Sequence, residues 1–205
     1  MTLLDIIITE IPAECFDWFA GYAGESWYSS GGGGNYLCLP ETPDWGRVVG
    51  GLQKSGWMQG VEYELDEAPG LFSQVNNGGQ SLHNLAAPCV VCHVPSRTNQ
   101  IIILAKLNCP EGWTKEYNGY IFSSSSAHAD QRRTTFICLD ETPEAVAGSG
   151  GDENEALFYP VCVCVCVCVC VCECVCVCVY MYSCPYETLC GCLCGLVKSC
   201  RYKHR

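Results

Sequence analysis

Tyr36-Leu37-Cys38-Leu39-Pro40-Glu41-Thr42-Pro43-Asp44 is written again one hundred positions later, as Phe136-Ile137-Cys138-Leu139-Asp140-Glu141-Thr142-Pro143-Glu144. An aromatic, an aliphatic, Cys and Leu running into Glu-Thr-Pro-acid describes a strand that ends in a Pro-terminated turn, with a cysteine at fixed register. The echo extends upstream, where Phe19-Ala20-Gly21-Tyr22 answers to Tyr117-Asn118-Gly119-Tyr120, and downstream, where Gly60 to Glu64 is loosely matched by Ala156 to Pro160. One supersecondary unit used twice predicts halves that pack on each other. The fold class expected is mainly β: two tandem, internally duplicated, disulfide-rich subdomains of short strands, followed by a low-complexity tail. Residues 1–14 form an atypical N-terminal segment, 15–94 the first repeat, 95–161 a truncated second repeat and 162–205 the tail.

Strands are expected at Tyr36 to Leu39, Val61 to Leu65, Cys89 to Val94, Gln100 to Leu104, Tyr117 to Phe122 and Thr134 to Leu139. Gly and Pro clusters punctuate them, at Gly31 to Gly34, Asn76 to Gly79 and Gly148 to Gly151, with Ser123 to Ser126 as a further break. Asp5 to Ala20 reads as a short helix, and Val94 to Gln100 as the join between halves. Turn spacing of this kind suits a sandwich or barrel-like packing of short sheets.

Charge narrows the partners. The first 161 residues carry 20 Asp/Glu against 7 Lys/Arg, a surface repelled by nucleic acid and by anionic lipid. Arg132-Arg133, the one basic pair before the tail, reads as a solvated strand edge. Cysteine usage divides the chain as well: Cys15, Cys38, Cys89, Cys92, Cys109 and Cys138 precede the tail, and fourteen more follow Val161. Six widely spaced cysteines among Gly, Pro, Tyr and Trp suit an oxidised extracellular domain, and all six are disulfide candidates in any of 15 pairings. The apolar Ile6-Ile7-Ile8 lies between Asp5 and Glu10 with no basic residue before it, a poor secretory signal. The expectation is that the true start lies elsewhere.

Val161 to Val179 alternates Val and Cys with Glu173 as the single exception. Alternation of period two describes a strand with Cys on one face and Val on the other. The tract nearly matches a membrane span in length, but Glu173 and the β-branched run count against one. Thiolates bind zinc or copper(I), yet known sites use spaced pairs whose turns bring two sulfurs to one ion. The reading that explains most is a translated GT dinucleotide repeat. GTG is Val and TGT is Cys, and Glu173, Tyr180, Met181 and Tyr182 each lie one base from a Val or Cys codon.

Chemical motifs are weak elsewhere. Cys89-Val90-Val91-Cys92-His93 has the spacing of half a zinc site or a redox pair, but no second pair matches it before the tail and the stretch reads as a strand. Ser123 to Ser126, His128 and Asp130 crowd into one loop, whereas triad members converge from separate segments. Glu41 and Asp140-Glu141 sit in the same Glu-Thr-Pro turn context in both repeats, which points to turn formation over paired-carboxylate chemistry. Gly31 to Gly34 precedes neither Lys-Ser/Thr nor a helix and is no phosphate loop. Trp27, Trp45, Trp57 and Trp113, with Tyr22, Tyr28, Tyr117 and Tyr120, read as core or interface before sugar platforms, and Gly112-Trp113 and Gly119-Tyr120 as anchors between strands. No catalytic or metal residue is assigned, no cofactor is expected, and the chain is read as a non-enzyme.

The phrases GGGGNYLCLPETPDWG, GVEYE, NNGGQSLHNLAAPCVVCHVPSR, NCPEGWTKEYNGY, FICLDETPEAVAGS and ALFYPV resemble, in the same order, the C-terminal non-collagenous region of spongin-type short-chain collagens, from about Gly21 to Val161. That region is in turn remotely similar to the two-repeat non-collagenous domain of type IV collagen. The repeat signature is carried by Tyr36, Glu41 and Pro43, by Phe136, Glu141 and Pro143, and by Trp113, Gly119 and Tyr120. Three departures stand out. The opening Cys-Pro, present as Cys109-Pro110, is replaced in the first repeat by Ile11 to Phe19, where Cys15 lies closer to Gly21 than Cys109 does to Gly119. The closing Cys-x-x-Cys is replaced by the Val-Cys tract. No Gly-x-y run is present. The resemblance implies disulfides, secretion, and a structural role in extracellular matrix through association with collagenous or other matrix chains, as a homo-oligomer such as a trimer. The alternatives are a polysaccharide-binding module or, if the tail is translated, a Cys-tail metal binder; a membrane partner would likewise need the tract to be real.

Overall fold

The structure is a computed structural model that describes residues 4–6, 16–27, 34–51, 56–66, 68, 70–72, 81–93, 100–104, 106, 108–124, 134–169, 173–178, 195–196 and 198–204. Among these the elements are strands: β1 (Leu4–Ile6), β2 (Phe16–Glu25), β3 (Leu37–Pro40), β4 (Gln59–Tyr63), β5 (Pro88–His93), β6 (Gln100–Leu104), β7 (Trp113–Ser123), β8 (Ile137–Asp140), β9 (Ala156–Pro160), β10 (Cys162–Val169), β11 (Glu173–Cys178), β12 (Gly195–Leu196) and β13 (Lys198–His204). Ten form one sheet in the order β1-β5-β2-β4-β9-β7-β13-β6, with β3 beside β2 and β8 beside β7; β11, β10 and β12 form a second.

The same pairing scheme occurs twice, residue for residue. On β2, Gly21, Tyr22, Ala23 and Gly24 face Pro40, Leu39, Cys38 and Leu37; on β7, Gly119, Tyr120, Ile121 and Phe122 face Asp140, Leu139, Cys138 and Ile137. Gly21 also pairs with Cys89 of β5, as Gly119 does with Ser199 of β13. The register slips once in each ladder, past Trp18 on β2 and past Glu116 on β7. Even the short bridge Glu62↔Ala86 has its likeness in Cys162↔Leu196.

Glycine explains why the register cannot drift. A Cβ on Gly21 would overlap the Leu39 carbonyl oxygen and lie 2.7 Å from its carbonyl carbon; on Gly119 it would overlap the Leu139 oxygen, 2.6 Å from the carbon. Strands β3 and β8 lie tight across these two positions, and only a residue without a side chain fits there.

The junction is the parallel pair β4–β9, with Val61 opposite Ala156 and Tyr63 opposite Phe158; every other strand pair in the two sheets is antiparallel. Gly24 pairs with Gly60 and its register equivalent Phe122 with Pro160, so Gly60 corresponds to Pro160, and the looser match of Gly60 with Ala156 is corrected. Val61 then corresponds to Val161 and Gly56 to Ala156. A two-fold axis would turn the pair Val61–Ala156 into Val161–Gly56, which this ladder does not contain. The relation between the two schemes is therefore directional.

One apolar core spans the junction, joining Tyr36, Val61, Tyr63, Leu65 and Phe72 to Phe122, Leu139, Ala156 and Phe158. Phe72 stacks on Phe122 at 6.1 Å and meets Tyr120 edge-on at 5.6 Å, while Tyr36 lies 4.4 Å from Phe158. A smaller cluster gathers Val90, Cys92, Tyr117, Ile121 and Cys138. A disulfide joins Cys38 to Cys89, tying β3 to β5 on either side of β2.

Two sequence expectations change. The helix read at Asp5 to Ala20 is strand wherever it is described, at Leu4–Ile6 and from Phe16. Its apolar positions pair with the apolar β5, and partner strands outweigh a weak local propensity. The tail also contributes to the main sheet: β13 inserts between β7 and β6, a position its composition did not suggest.

Candidate interaction face

Residues two apart on a strand share a face. On the β2–β3 hairpin, Ala23 points inward at 1 % exposure, and Cys38 is half-buried in the disulfide. The opposite face carries Tyr22, Gly24, Leu37 and Leu39, continued by Met58 just before β4, whose neighbour Trp57 is exposed as well. Tyr22 is 42 % exposed, Leu37 43 %, Trp57 46 % and Met58 46 %. Leu39 and Met58 meet around Gly24: a Cβ built there would lie 2.7 Å from Leu39 Cδ1 and 3.2 Å from Met58 Cγ.

The equivalent face on β7–β8 is Tyr120, Phe122, Ile137 and Leu139, continued by Phe158 of β9. Here Phe122, Leu139 and Phe158 are fully buried in the core, where Phe72, from the excursion that follows β4, stacks on Phe122 and Phe158 packs against Tyr36 and Tyr63. Tyr22 and Leu37 are thus exposed where their register equivalents Tyr120 and Ile137 are half-buried, and Leu39 is half-buried where Leu139 is fully buried.

Two neighbouring features follow the same asymmetry. Tyr36 is buried at the junction, where its hydroxyl lies 3.3 Å from Ser124 Oγ and accepts from Thr134 Oγ1 at 2.8 Å; its counterpart Phe136 is half exposed. The turn after β8 is docked: Tyr63 Oη donates to the Glu144 carbonyl at 2.8 Å, Val146 N to the Ala86 carbonyl at 3.0 Å, and Ala86 N to Ser149 Oγ at 2.9 Å. The turn after β3 instead holds Trp45 and Val48 out in solvent, at 76 % and 75 % exposure.

Burial sets the electrostatics beside this face. The Glu25 carboxyl is buried and accepts from Ser26 Oγ at 3.1 Å; burial pushes its pKa up, and that hydrogen bond only partly offsets the rise. Burial also pushes Tyr36 up to about 12, with the negative charge of Glu25 adding to the rise. A carboxyl whose folded pKa lies above its unfolded value contributes stability that is complete below the unfolded value and is lost as pH rises through the folded one. Glu25→Gln is therefore expected to raise the melting temperature at neutral pH, with a gain that vanishes below pH 4.5. Thermal melts across pH check this; equal melts at neutral pH would refute it.

The sequence-singled residues fall as follows. Cys89 and Cys92 are both disulfide-bonded, Cys89 to Cys38, so the Cys-x-x-Cys spacing marks two separate crosslinks and not one redox or metal pair. Cys109 is half-buried and Cys138 buried; Cys15 lies outside the described residues. Ser123 and Ser124 are buried against Thr134, while His128, Asp130, Arg132 and Arg133 lie outside the described residues. Asp140 Oδ1 accepts from Thr142 N at 2.8 Å and Oγ1 at 2.7 Å, so it shapes the Glu-Thr-Pro turn. Pro143 is fully buried in that turn, and Glu141 N donates to the Asn118 carbonyl at 3.2 Å; Glu41 and Pro43 are exposed. Gly119 is buried, with Trp113 and Tyr120 half-buried.

Two clusters were not legible in the sequence. His83 Nδ1 accepts from Leu65 N at 3.2 Å, leaving Nε2 to donate to Asp66 Oδ1 at 3.0 Å, with Glu64 4.0 Å away. Glu64, Asp66 and His83 have the proximity of a metal site. Both ring nitrogens are already engaged, however, and a cation on Nε2 would require an imidazolate. A cavity of about 230 Å³ is lined by Glu62, Glu153 and Glu155. The Glu62 carboxylate accepts from Glu153 N and Asn154 N at 3.0 Å, and Glu155 Oε2 from Gly60 N at 3.2 Å. These carboxylates close the junction between β4 and the turn before β9.

Comparison with protein-family models, with curated proteins and with solved structures gives no match. The open hairpin face remains the feature of the described surface with the most specific geometry.

Proposed function

We propose that this chain is a non-catalytic, extracellular structural domain of a short-chain-collagen-like matrix protein, acting by chain association and stabilised by disulfides. Two internally duplicated subdomains underlie it, a reading supported by the twice-used register, bulge included. The observation that carries the association is the open β2–β3 face beside its covered equivalent. Within one chain, the excursion after β4 covers the β7–β8 face. The directional β4–β9 junction has no dyad to return the favour, so the β2–β3 face takes its cover from another chain. A contact of this kind is head-to-tail and closes as a ring when its rotation permits, which agrees with the homo-oligomer that the sequence resemblance implies.

The energetics set what to expect. Four half-exposed apolar side chains gain on the order of 1 kcal/mol each on full burial, against an association cost of about 4–15 kcal/mol. The partner's inserted residues must supply the remainder, so assembly is expected to depend on concentration. Light scattering on the oxidised protein over a dilution series should show an oligomer dissociating to monomer. Leu37→Glu with Met58→Glu, two exposed positions, should leave a monomer of unchanged melting temperature. A wild-type protein that stays monomeric at every concentration overturns the proposal.

A second reading, a binding module for neutral polysaccharide, is favoured by the exposure of Tyr22, Trp27, Trp45 and Trp57. Its test is a glycan array probed with the folded monomeric variant; a blank array removes it.

A further inference from the structure

We propose that the Val-Cys hairpin β10–β11, in its reduced form, is a binding site for soft, thiophilic d10 cations such as zinc, cadmium or copper(I). Alternation within one strand does not by itself bring two sulfurs to one ion. The antiparallel register supplies what spacing lacks: Cys164 pairs with Cys178, Cys166 with Cys176 and Cys168 with Cys174, three consecutive Cys–Cys positions separated by Val–Val pairs. Directly opposed positions have Cβ atoms about 4.5–5.5 Å apart, and the next pair of the same parity lies roughly 7 Å along the strand. Two neighbouring opposed positions together place four cysteines, the donor number of a tetrathiolate site. Any one-residue slip would set Cys against Val and disperse the set.

Binding involves no oxidation. Each thiol loses its proton to solvent as its sulfur bonds to the metal, and the metal releases water in exchange, so affinity rises with pH. Thiolate donors favour soft cations over calcium or magnesium. Among the described residues the hairpin pairs with itself and with β12, in a sheet separate from the ten-stranded one.

The test is a cadmium titration of the reduced full chain, read by the ultraviolet thiolate-to-metal band and by intact mass. It compares two fourfold variants: Cys164, Cys166, Cys176 and Cys178 to Ser, and Cys184, Cys190, Cys192 and Cys194 to Ser. Changes outside the ligand set alone cost about 10–100-fold in affinity, so loss of the ladder is expected to weaken the first cadmium ion by roughly 100-fold or more. The second variant should keep wild-type affinity. Equal losses in both would show that binding follows thiol number and not register, and no binding to the wild-type chain would end the proposal outright.

Discussion

Gly119→Ala is expected to prevent stable folding, and Gly21→Ala to do nearly the same. The new methyl on residue 119 would overlap the Leu139 carbonyl oxygen and lie 2.9 Å from Asp140 Cα. These neighbours are backbone, so no rotamer change relieves them and β8 must leave β7. Overpacking that side chains can absorb costs about 1–3 kcal/mol; this clash should exceed about 4 kcal/mol, a large part of the 5–15 kcal/mol typical of a domain. Gly24→Ala should be much milder, since its nearest atoms belong to the side chains of Leu39 and Met58. Gly46→Ala, with nothing within 4 Å, should be close to neutral. Urea denaturation of the four variants orders them, and a Gly119→Ala midpoint equal to that of Gly46→Ala would show the tight crossing to be wrong.

Replacing both Cys38 and Cys89 by Ala is expected to remove about 4 kcal/mol, from the entropy of opening a loop whose ends are 51 residues apart. Removing both partners leaves neither thiol of this bond to reshuffle. The loss should reach the open face too, because β3 carries Leu37 and Leu39 and is held over β2 by this bond. The variant should therefore associate more weakly than wild type even where it remains folded. Denaturant midpoints and light scattering on one preparation read both effects; full stability with full association would mean that the crosslink holds nothing the sheet does not already hold.

Much of the frame was readable in the residues, and the reasons are local. The repeated Cys-Leu-x-Glu-Thr-Pro phrase marked β3 and β8 because a strand, a fixed inward position and a Pro-ended turn each leave a residue signature. Gly21 and Gly119 could be aligned as a pair, but that they lie beneath a crossing strand is a long-range fact. The stretch Phe16–Glu25 was misread in part because its pattern draws its meaning from β5, some seventy residues later. The open face was hidden for a related reason. Trp57-Met58 and Leu157-Phe158 are equally apolar, but Leu157-Phe158 lies in β9 between β4 and β7, with Phe158 against Tyr36, Tyr63 and Phe122, while Trp57-Met58 precedes β4 and is exposed. β13 was missed since Lys198–His204 has no apolar alternation, and its ladder is held by backbone hydrogen bonds whatever the side chains.

The insertion of β13 between β7 and β6 also orders events during synthesis. β5 enters between β1 and β2 as soon as residue 93 has emerged, so that part of the sheet can form early. β6 has β13 as its sole partner among the described strands and must wait from residue 104 to residue 204, with an apolar Ile101-Ile102-Ile103 edge exposed throughout. A ribosome stalled anywhere in that interval would carry a chain half-built and prone to pair with its neighbours on the same message.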